Sequence, residues 1–518
     1  VIARATPDER NTVSAAMPPA AGPPTRSAER VGGLDLARAV AILGMVVINF
    51  KESFVDMEAA AAGLLAWLSV LPSGRASTLF VTLAGTGIML MGRGAETGAA
   101  ARVLLKRSLF LLVAGNLLFF IWDGDILHFY AVYLFFSAII FIRLPRAALL
   151  PLAALAALAG PLLHLLFGSI DPAAIEYHSA HGMFIDIVGW GLHPIFPWFT
   201  FILTGFWIGH LDLRDRGTRR TLALGGALLA CGAPLADLAI GHLAAFGLLP
   251  GRALSLLGTL WSPGLLFTLG RVGSAVFIIA VGQSIAGRLP GSIVVRSLVA
   301  TGQLSFTIYI FHVVVWVHLF SRVTGVEQFG LARLFLHVAS FYLFIVPAGA
   351  IYRRFCRRGP IEWFMRLLCG ETPPRTVAPP PAVRLARAPA WAWLPVLPAL
   401  PAILVIQLAG TPLGWIAESA PLAEGRRYAE ITVFSDEATW TLELNEESEI
   451  VIETFSDRDL YLEILDEEGE TIAESDDDGV AYNGRILGNV DPGRYRVVVT
   501  SLDKIPGAFV LETRIGPA

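Results

Sequence analysis

Charge is scarce in this 518-residue chain: Asp, Glu, Lys and Arg make up 16% of it, against about 25% in ordinary soluble domains. Cysteine is scarcer still. Cys231, Cys356 and Cys369 are the only three, and their spacing suits neither a disulfide framework nor a metal site, so free thiols and no structural metal are expected. The net charge of −4 gives no reason to expect a nucleic-acid partner. No short apolar core followed by a small-residue cleavage site precedes Gly33, so the N-terminal region does not read as a cleavable signal peptide. No inverted repeat relates the two halves, which counts against a transporter of that design.

Apolar sequence is what the chain has in abundance. It is 55% hydrophobic, with a mean hydropathy of +0.62. Runs of about 17–24 residues, the length a bilayer core requires, lie near 34–50, 75–92, 103–122, 126–143, 147–167, 195–211, 219–240, 268–287, 297–320, 331–352 and 391–409. The expected fold class is a polytopic α-helical membrane protein of about 10–11 transmembrane helices, followed by an all-β sandwich. Residues 1–30, rich in Pro, Ala and Arg, read as a disordered tail. Residues 31–370 form the main membrane domain, 371–390 a Pro-rich linker, and 391–410 a further membrane helix. Segments 59–71 and 253–267 suit short or re-entrant helices. Arginine clusters in alternate connections, for example Arg93 to Arg107, Arg214 to Arg220 and Arg353 to Arg358. By the positive-inside rule those connections and the N-terminus face the cytoplasm, with the C-terminal domain on the other side of the membrane.

The first run carries the polar residues that organise a candidate site. Asp35, Arg38, Ile42, Met45 and Asn49 step by three and four and share one helical face. At 1.5 Å per residue Asp35 and Asn49 stand roughly 21 Å apart, one near each membrane surface. Ionisable groups at membrane depth mark functional sites by default, although Asp35 and Arg38 also suit a self-neutralising i,i+3 pair. In WDGDILHFYAVYLF, Asp123 and Asp125 occupy a short outer turn. Asp125 and His128 share a helix face, so the carboxylate either orients a basic imidazole or caps the helix. Arg75, His193, Trp198 and His312 are expected on the same outer side, lining an acceptor pocket. Asp171, Glu176, His178, His181 and Asp186 would form its lid. The HxxH of His178 and His181 lacks further ligands at helical spacing, so no zinc is expected.

Residues 425–518 alternate in short strands such as TWTLELN and YRVVVTS, separated by turns such as DDDG and DPGR, which is the pattern of a β-sandwich. DLYLEILDEEGETIAESDDDG and DPGRYRVVVTS resemble the bacterial pre-peptidase C-terminal domain. Some such domains bind calcium, and Asp476, Asp477 and Asp478 are oxygen ligands suited to Ca2+, although their spacing fits no EF-hand loop.

The opening R-x-x-G-L-D-x-x-R (Arg30 to Arg38), Ile48-Asn49, GDILxxYA (Gly124 to Ala131) and GPIEWFMR (Gly359 to Arg366) resemble the YeiB-like family of bacterial membrane proteins. FPWFTFILTGFWIG (Phe196 to Gly209) resembles the heparan-α-glucosaminide N-acetyltransferase family. LSFTxYxxH (Leu304 to His312) recurs more widely among membrane acyltransferases. The resemblance implies transfer of an acyl group from cytoplasmic acyl-CoA, as co-substrate, to a glycan-like acceptor outside. It assigns Asn49 to the active site, where its amide would hold the acyl carbonyl. Asp35 and Arg38 would organise the donor end, arginine suiting the phosphates of CoA. Glu362 and Arg366 are donor-side groups or an i,i+4 ion pair. One departure stands out. The loop after Asn49, KESFVDMEAAAAG, holds no histidine where the N-acetyltransferase family places its catalytic one, and Ala39 replaces the usual glycine. Either Asp125 or His128 is then the base, or this branch carries out different chemistry. A transporter, or a scaffold presenting the sandwich, are the alternatives, and a homo-oligomer is compatible with any of the three.

Overall fold

The computed structural model describes residues 32–57, 60–122, 124–167, 179–250, 257–258, 264–324, 328–371, 381–409, 421–456, 458–476 and 483–517. The expected tail 1–30, Asp123, the lid residues Asp171, Glu176 and His178, and the acidic-turn residues Asp477 and Asp478 lie outside them.

The helical part begins with α1 (Gly32–Phe54), α2 (Leu64–Val70), α3 (Arg75–Gly92), α4 (Thr97–Phe119), α5 (Leu127–Ile139), α6 (Arg146–Phe167), α7 (Ala180–Ile185), α8 (Ile195–Gly209) and α9 (Arg216–Ala245). It continues with α10 (Leu265–Arg288), α11 (Ile293–Gln303), α12 (Ser305–Phe311), α13 (Leu331–Phe355), α14 (Pro360–Cys369) and α15 (Val396–Ala409). Among the described residues, eight helical stretches are long and apolar enough to cross a membrane, or nine if the bent pair around Ile195–Gly209 is one span. That is fewer than the expected 10–11, although every expected run contains a helix. The difference has a physical origin. Arg102, Lys106 and Arg107 lower the hydropathy of α4, and α5 is only 13 residues long.

The run 297–320 is broken. Leu304 leaves helical geometry (φ −107°, ψ 14°), and α12 starts afresh at Ser305 before winding into a π-helical stretch, His312–Phe320. A new helix start leaves unsatisfied N–H groups. Glu362 satisfies them: the Phe306 and Thr307 amides donate to its Oε1 at 3.0 and 3.2 Å, and the Thr307 hydroxyl donates to Oε2. GPIEW is thus a bracket in which Pro360 starts α14 and Glu362 caps a different helix. Glu362→Ala is expected to cost about 1–3 kcal/mol, the penalty for stranding buried donors; thermal unfolding of the purified protein measures it.

Helix α1 packs against α3, α10, α11 and α13 and so sits at the centre of the bundle. Next to it, α3 and α8 cross backbone to backbone at Gly85 and Gly205. A Cβ on Gly85 would run into the Ile202 carbonyl, and one on Gly205 into that of Thr82. Gly205→Val should therefore destabilise the bundle by about 1–3 kcal/mol or more, as overpacked cores do; a lowered unfolding temperature is the readout.

The C-terminal region forms two four-stranded antiparallel sheets, ordered β1-β8-β3-β6 and β2-β7-β4-β5. The strands are β1 (Gly425–Ile431), β2 (Glu437–Leu444), β3 (Ser448–Phe455), β4 (Leu460–Leu465), β5 (Thr471–Ser475), β6 (Arg485–Val490), β7 (Gly493–Ser501) and β8 (Gly507–Pro517). Alternate residues of β2 and β4 turn inward, and Trp440, Leu442, Ile452, Leu462, Val497 and Phe509 fill the space between the sheets.

The sandwich packs on the end of the bundle that carries Lys51. Arg426 Nη1 donates to the Leu249 carbonyl (3.0 Å), the Val433 amide to that of Gln407 (2.7 Å), and Arg458 faces Asp237 at 3.7 Å. Burial at this junction pushes the Asp503 carboxyl above its ordinary range, against the counter-pull of Ser501, Ile505, Arg458 and Lys51. A carboxyl raised in the fold binds its proton more tightly there than in the unfolded chain. Its stabilising contribution is present at low pH and lost as pH rises through the folded value. Asp503→Asn should therefore stabilise the protein at neutral pH, the gain shrinking on acidification below the carboxylate range; paired melting curves at the two pH values test the sign.

The Pro-rich linker is not loose over its described part. The Val383 amide donates to the His210 carbonyl and the Val383 carbonyl accepts from the Asp212 amide, and the Leu385 and Ala388 amides donate to the hydroxyls of Thr218 and Thr221 on α9.

Candidate active site

Two cavities open from opposite ends of the bundle and share a wall. The first, about 720 Å³, is lined by Asn49, His128, Asp186, His193, Trp198 and Tyr309 among others. The second, about 350 Å³, is lined by Arg38, Arg107, Arg366 and apolar side chains. Met45, Ile126 and Tyr309 line both. The α1 stripe read from the sequence runs along this path, with Arg38 in one cavity, Met45 in the partition and Asn49 in the other.

Asn49, His128 and Tyr309 face the first cavity and are each backed by a partner behind the wall. The Asn49 amide donates to His312 Nε2 at 2.8 Å, and His312 Nδ1–H donates to the Ile308 carbonyl at 3.1 Å. The second bond selects the tautomer whose Nε2 accepts, so Asn49 keeps its other amide hydrogen for the cavity. His312 itself is fully buried and stands behind Asn49 rather than lining the pocket. His312 comes from a distant part of the chain, 263 positions after Asn49.

His128 Nδ1 faces Asp125 Oδ2 at 3.4 Å, and Nε2 faces Asp186 Oδ2 at 3.3 Å. Asp125 is fully buried and not part of the cavity wall. Its Oδ2 also accepts from the Leu127 amide (2.9 Å), and its Oδ1 accepts from the Tyr309 hydroxyl (3.0 Å). Both sequence readings of Asp125 hold at once: it caps α5 and it orients His128. As a direct base it is corrected, because it lacks access to a substrate.

Arg75 is also displaced from its expected place. Its guanidinium donates to the Leu71 carbonyl at 2.7 Å and lines a different cavity. His193 and Trp198 do reach the expected pocket, their rings 4.5 Å apart. Of the expected lid, Asp186 lines the cavity from the π-helical segment Asp186–Trp190, whereas His181 is exposed.

At the opposite end, Asp35 accepts from Arg38 (2.6 Å) and from Gln303 (2.9 Å), and Gln303 in turn accepts from Arg353 (2.9 Å). Arg38 remains 28% exposed toward its cavity. Glu362 and Arg366 do not pair with each other: Glu362 caps α12, and Arg366 meets Glu371 at 3.0 Å. Arg358 and then Arg366 hold the Glu371 carboxyl below its ordinary range. The sequence reading missed Tyr309, Arg107 and Gln303. Tyr309 lies inside the LSFTxYxxH motif, one turn before His312, so its signal was present; Arg107 and Gln303 had none beyond being polar within apolar runs.

Comparison with known proteins agrees with the helical region's motifs. Residues 30–238 match a family model described as heparan-alpha-glucosaminide N-acetyltransferase, catalytic. Residues 214–370 match a second, described as a protein of unknown function (DUF418). Each covers less than half of the chain, and both end by residue 370. An uncharacterized protein, YxaH, of Bacillus subtilis (strain 168) is 31% identical over 131 residues, covering 21% of this chain and 32% of the relative. The chain thus spans about a third of the length of that curated relative. The matches support an acyltransferase-like membrane region.

Proposed function

We propose that the chain is an integral membrane acyltransferase that carries an acyl group from acyl-CoA at its arginine-lined end to a glycan-like acceptor at the Asn49 end. The shared wall at Met45, Ile126 and Tyr309 carries this reading. A thioester entering from one cavity and a nucleophile entering from the other can meet only where these walls thin, and Asn49 and His128 border that place. Arg38, Arg107 and Arg366 suit the phosphates of CoA. Trp122 and Trp190 on the acceptor side offer flat faces on which sugar rings stack.

In the proposed reaction the acceptor displaces Asp186 from His128 Nε2, and that nitrogen, with Nδ1–H held by Asp125, takes the proton of the acceptor hydroxyl or amine as its oxygen or nitrogen attacks the thioester carbonyl. The free amide hydrogen of Asn49 donates to the developing oxyanion. Collapse of the tetrahedral adduct breaks the C–S bond, and His128 returns the proton to the leaving thiolate. The family resemblance and the arginine bias of alternate connections support a cytoplasmic donor side in a bacterial membrane. The strand pattern supports kinship of the sandwich with pre-peptidase C-terminal domains.

The test is transfer of label from acyl-labelled acetyl-CoA, supplied outside inverted proteoliposomes, to soluble sugar acceptors inside. Label on the acceptor, lost in Asn49→Ala, supports the reading. Solute movement across the membrane with no label transferred would replace it with the transporter alternative.

A further inference from the structure

The geometry points to a second ligand site, the cavity between the β-sandwich and helices α9, α10 and α15, which binds an amphipathic anion: an apolar chain bearing a phosphate or similar acidic head. The site is separate from the cavities at Asn49 and Arg38 and stands apart from the acyl-transfer reading.

The cavity measures about 720 Å³, as large as the one at Asn49. Its deep walls are apolar, with Pro234 and Leu238 from α9, Leu266 from α10, and Leu400 and Leu404 from α15. Leu400 and Leu404 are also open on the outer face of α15, the side a lipid chain would approach from.

Charged side chains also line it: Arg75, Arg271 and Arg458, with Asp237 and Glu430. Arg458 has carboxylates to answer it in Asp237 and Asp503, which leaves Arg75 as the guanidinium with no ion pair among the described residues. Arg458 is fixed by the Pro506 and Ala508 carbonyls at 3.0 and 3.3 Å and faces Asp237 at 3.7 Å. Arg271 lies 4.8 Å over the Phe267 ring. Among the described residues Arg75 bonds only the Leu71 carbonyl. A guanidinium at membrane depth is expensive to keep without an anion, and its planar fork suits phosphate oxygens in pairs. Chain and head are therefore both provided for, and the sandwich supplies the third arginine.

The site also adjoins the chemistry. Ser73 lines both this cavity and the one at Asn49. The partition between them is the turn 71–74. Gly74 there has φ +64°, and a Cβ on it would lie 2.8 Å from the Phe267 ring and 3.0 Å from Arg271 Nε. Only a single turn separates an acidic head held at Arg75 and Arg271 from Asn49.

The probe is radiolabelled dioleoylphosphatidic acid bound to the full-length protein in detergent. Competing arms use dioleoylphosphatidylcholine and glycerol 3-phosphate. Phosphatidic acid should be retained at least tenfold over phosphatidylcholine. Glycerol 3-phosphate should compete only at a hundredfold higher concentration or more, which separates a lipid-borne head from a free phosphate. Arg75→Gln and Arg271→Gln should each lower retention at least fivefold, with Arg75→Lys recovering part of it and so excluding simple misfolding. Asn49→Ala should retain the lipid as wild type does. Equal retention of the two lipids, competition by glycerol 3-phosphate at lipid concentrations, or wild-type retention in both glutamine variants would overturn the site. Acyl transfer that persists without selective retention leaves the enzyme reading standing and removes this one; retention without transfer does the reverse.

Discussion

Alanine at Asn49 is expected to lower the proposed acyl transfer by about 100- to 1,000-fold, the usual loss when one oxyanion donor is removed. The reason lies in the pair Asn49–His312, 2.8 Å apart. His312 spends its Nδ1–H on the Ile308 carbonyl, so it can only accept from Asn49, and the amide is locked with one hydrogen toward the cavity. If that lock matters, His312→Ala should lower the rate constant while leaving the Michaelis constant for acyl-CoA near its wild-type value, since neither side chain lines the arginine cavity. Steady-state kinetics at several acyl-CoA concentrations give the split. An Asn49→Ala enzyme with wild-type turnover would leave the oxyanion role without support.

Replacing His128 by glutamine is expected to cost about 100- to 10,000-fold, the range for a positioned general base. The ring is held between Asp125 and Asp186 at 3.4 and 3.3 Å, and the two carboxylates differ in kind. Asp125 is buried behind the wall and tied to Tyr309 and the start of α5, so Asp125→Asn should lower both activity and thermal stability. Asp186 lines the cavity from a π-helical turn, so Asp186→Asn should lower activity with less effect on melting. Activity and unfolding temperature measured side by side on the three variants separate base, orienting group and scaffold. An equal loss of stability in all three would reduce His128 to a packed core histidine.

What was readable in the linear chain was whatever repeats at a helical or strand period. The α1 stripe placed Arg38, Met45 and Asn49 along one path because three- and four-residue steps share a helix face. Asp125 and His128 were paired for the same reason. The alternating strands gave the sandwich, since one face of each must turn from water. Short-range sterics and hydrophobicity decide these features, and they need no partner to be seen.

Everything that depends on residues far apart in sequence was decided by packing. The Asn49–His312 bond spans 263 positions, the Glu362 cap serves a helix some 55 residues earlier, and Arg75 turns to a cavity that exists only because the sandwich closes over α9 and α10. The break at Leu304 falls where Gly302, Gln303 and Ser305 interrupt the apolar run, but average hydropathy over the run is blind to where a helix stops when its new end is capped from elsewhere. Composition and period alone determined that this is a membrane bundle with a β-sandwich and a polar stripe. Which of its polar groups face one another was decided by tertiary structure, because a hydrogen bond at membrane depth depends on which helices lie side by side.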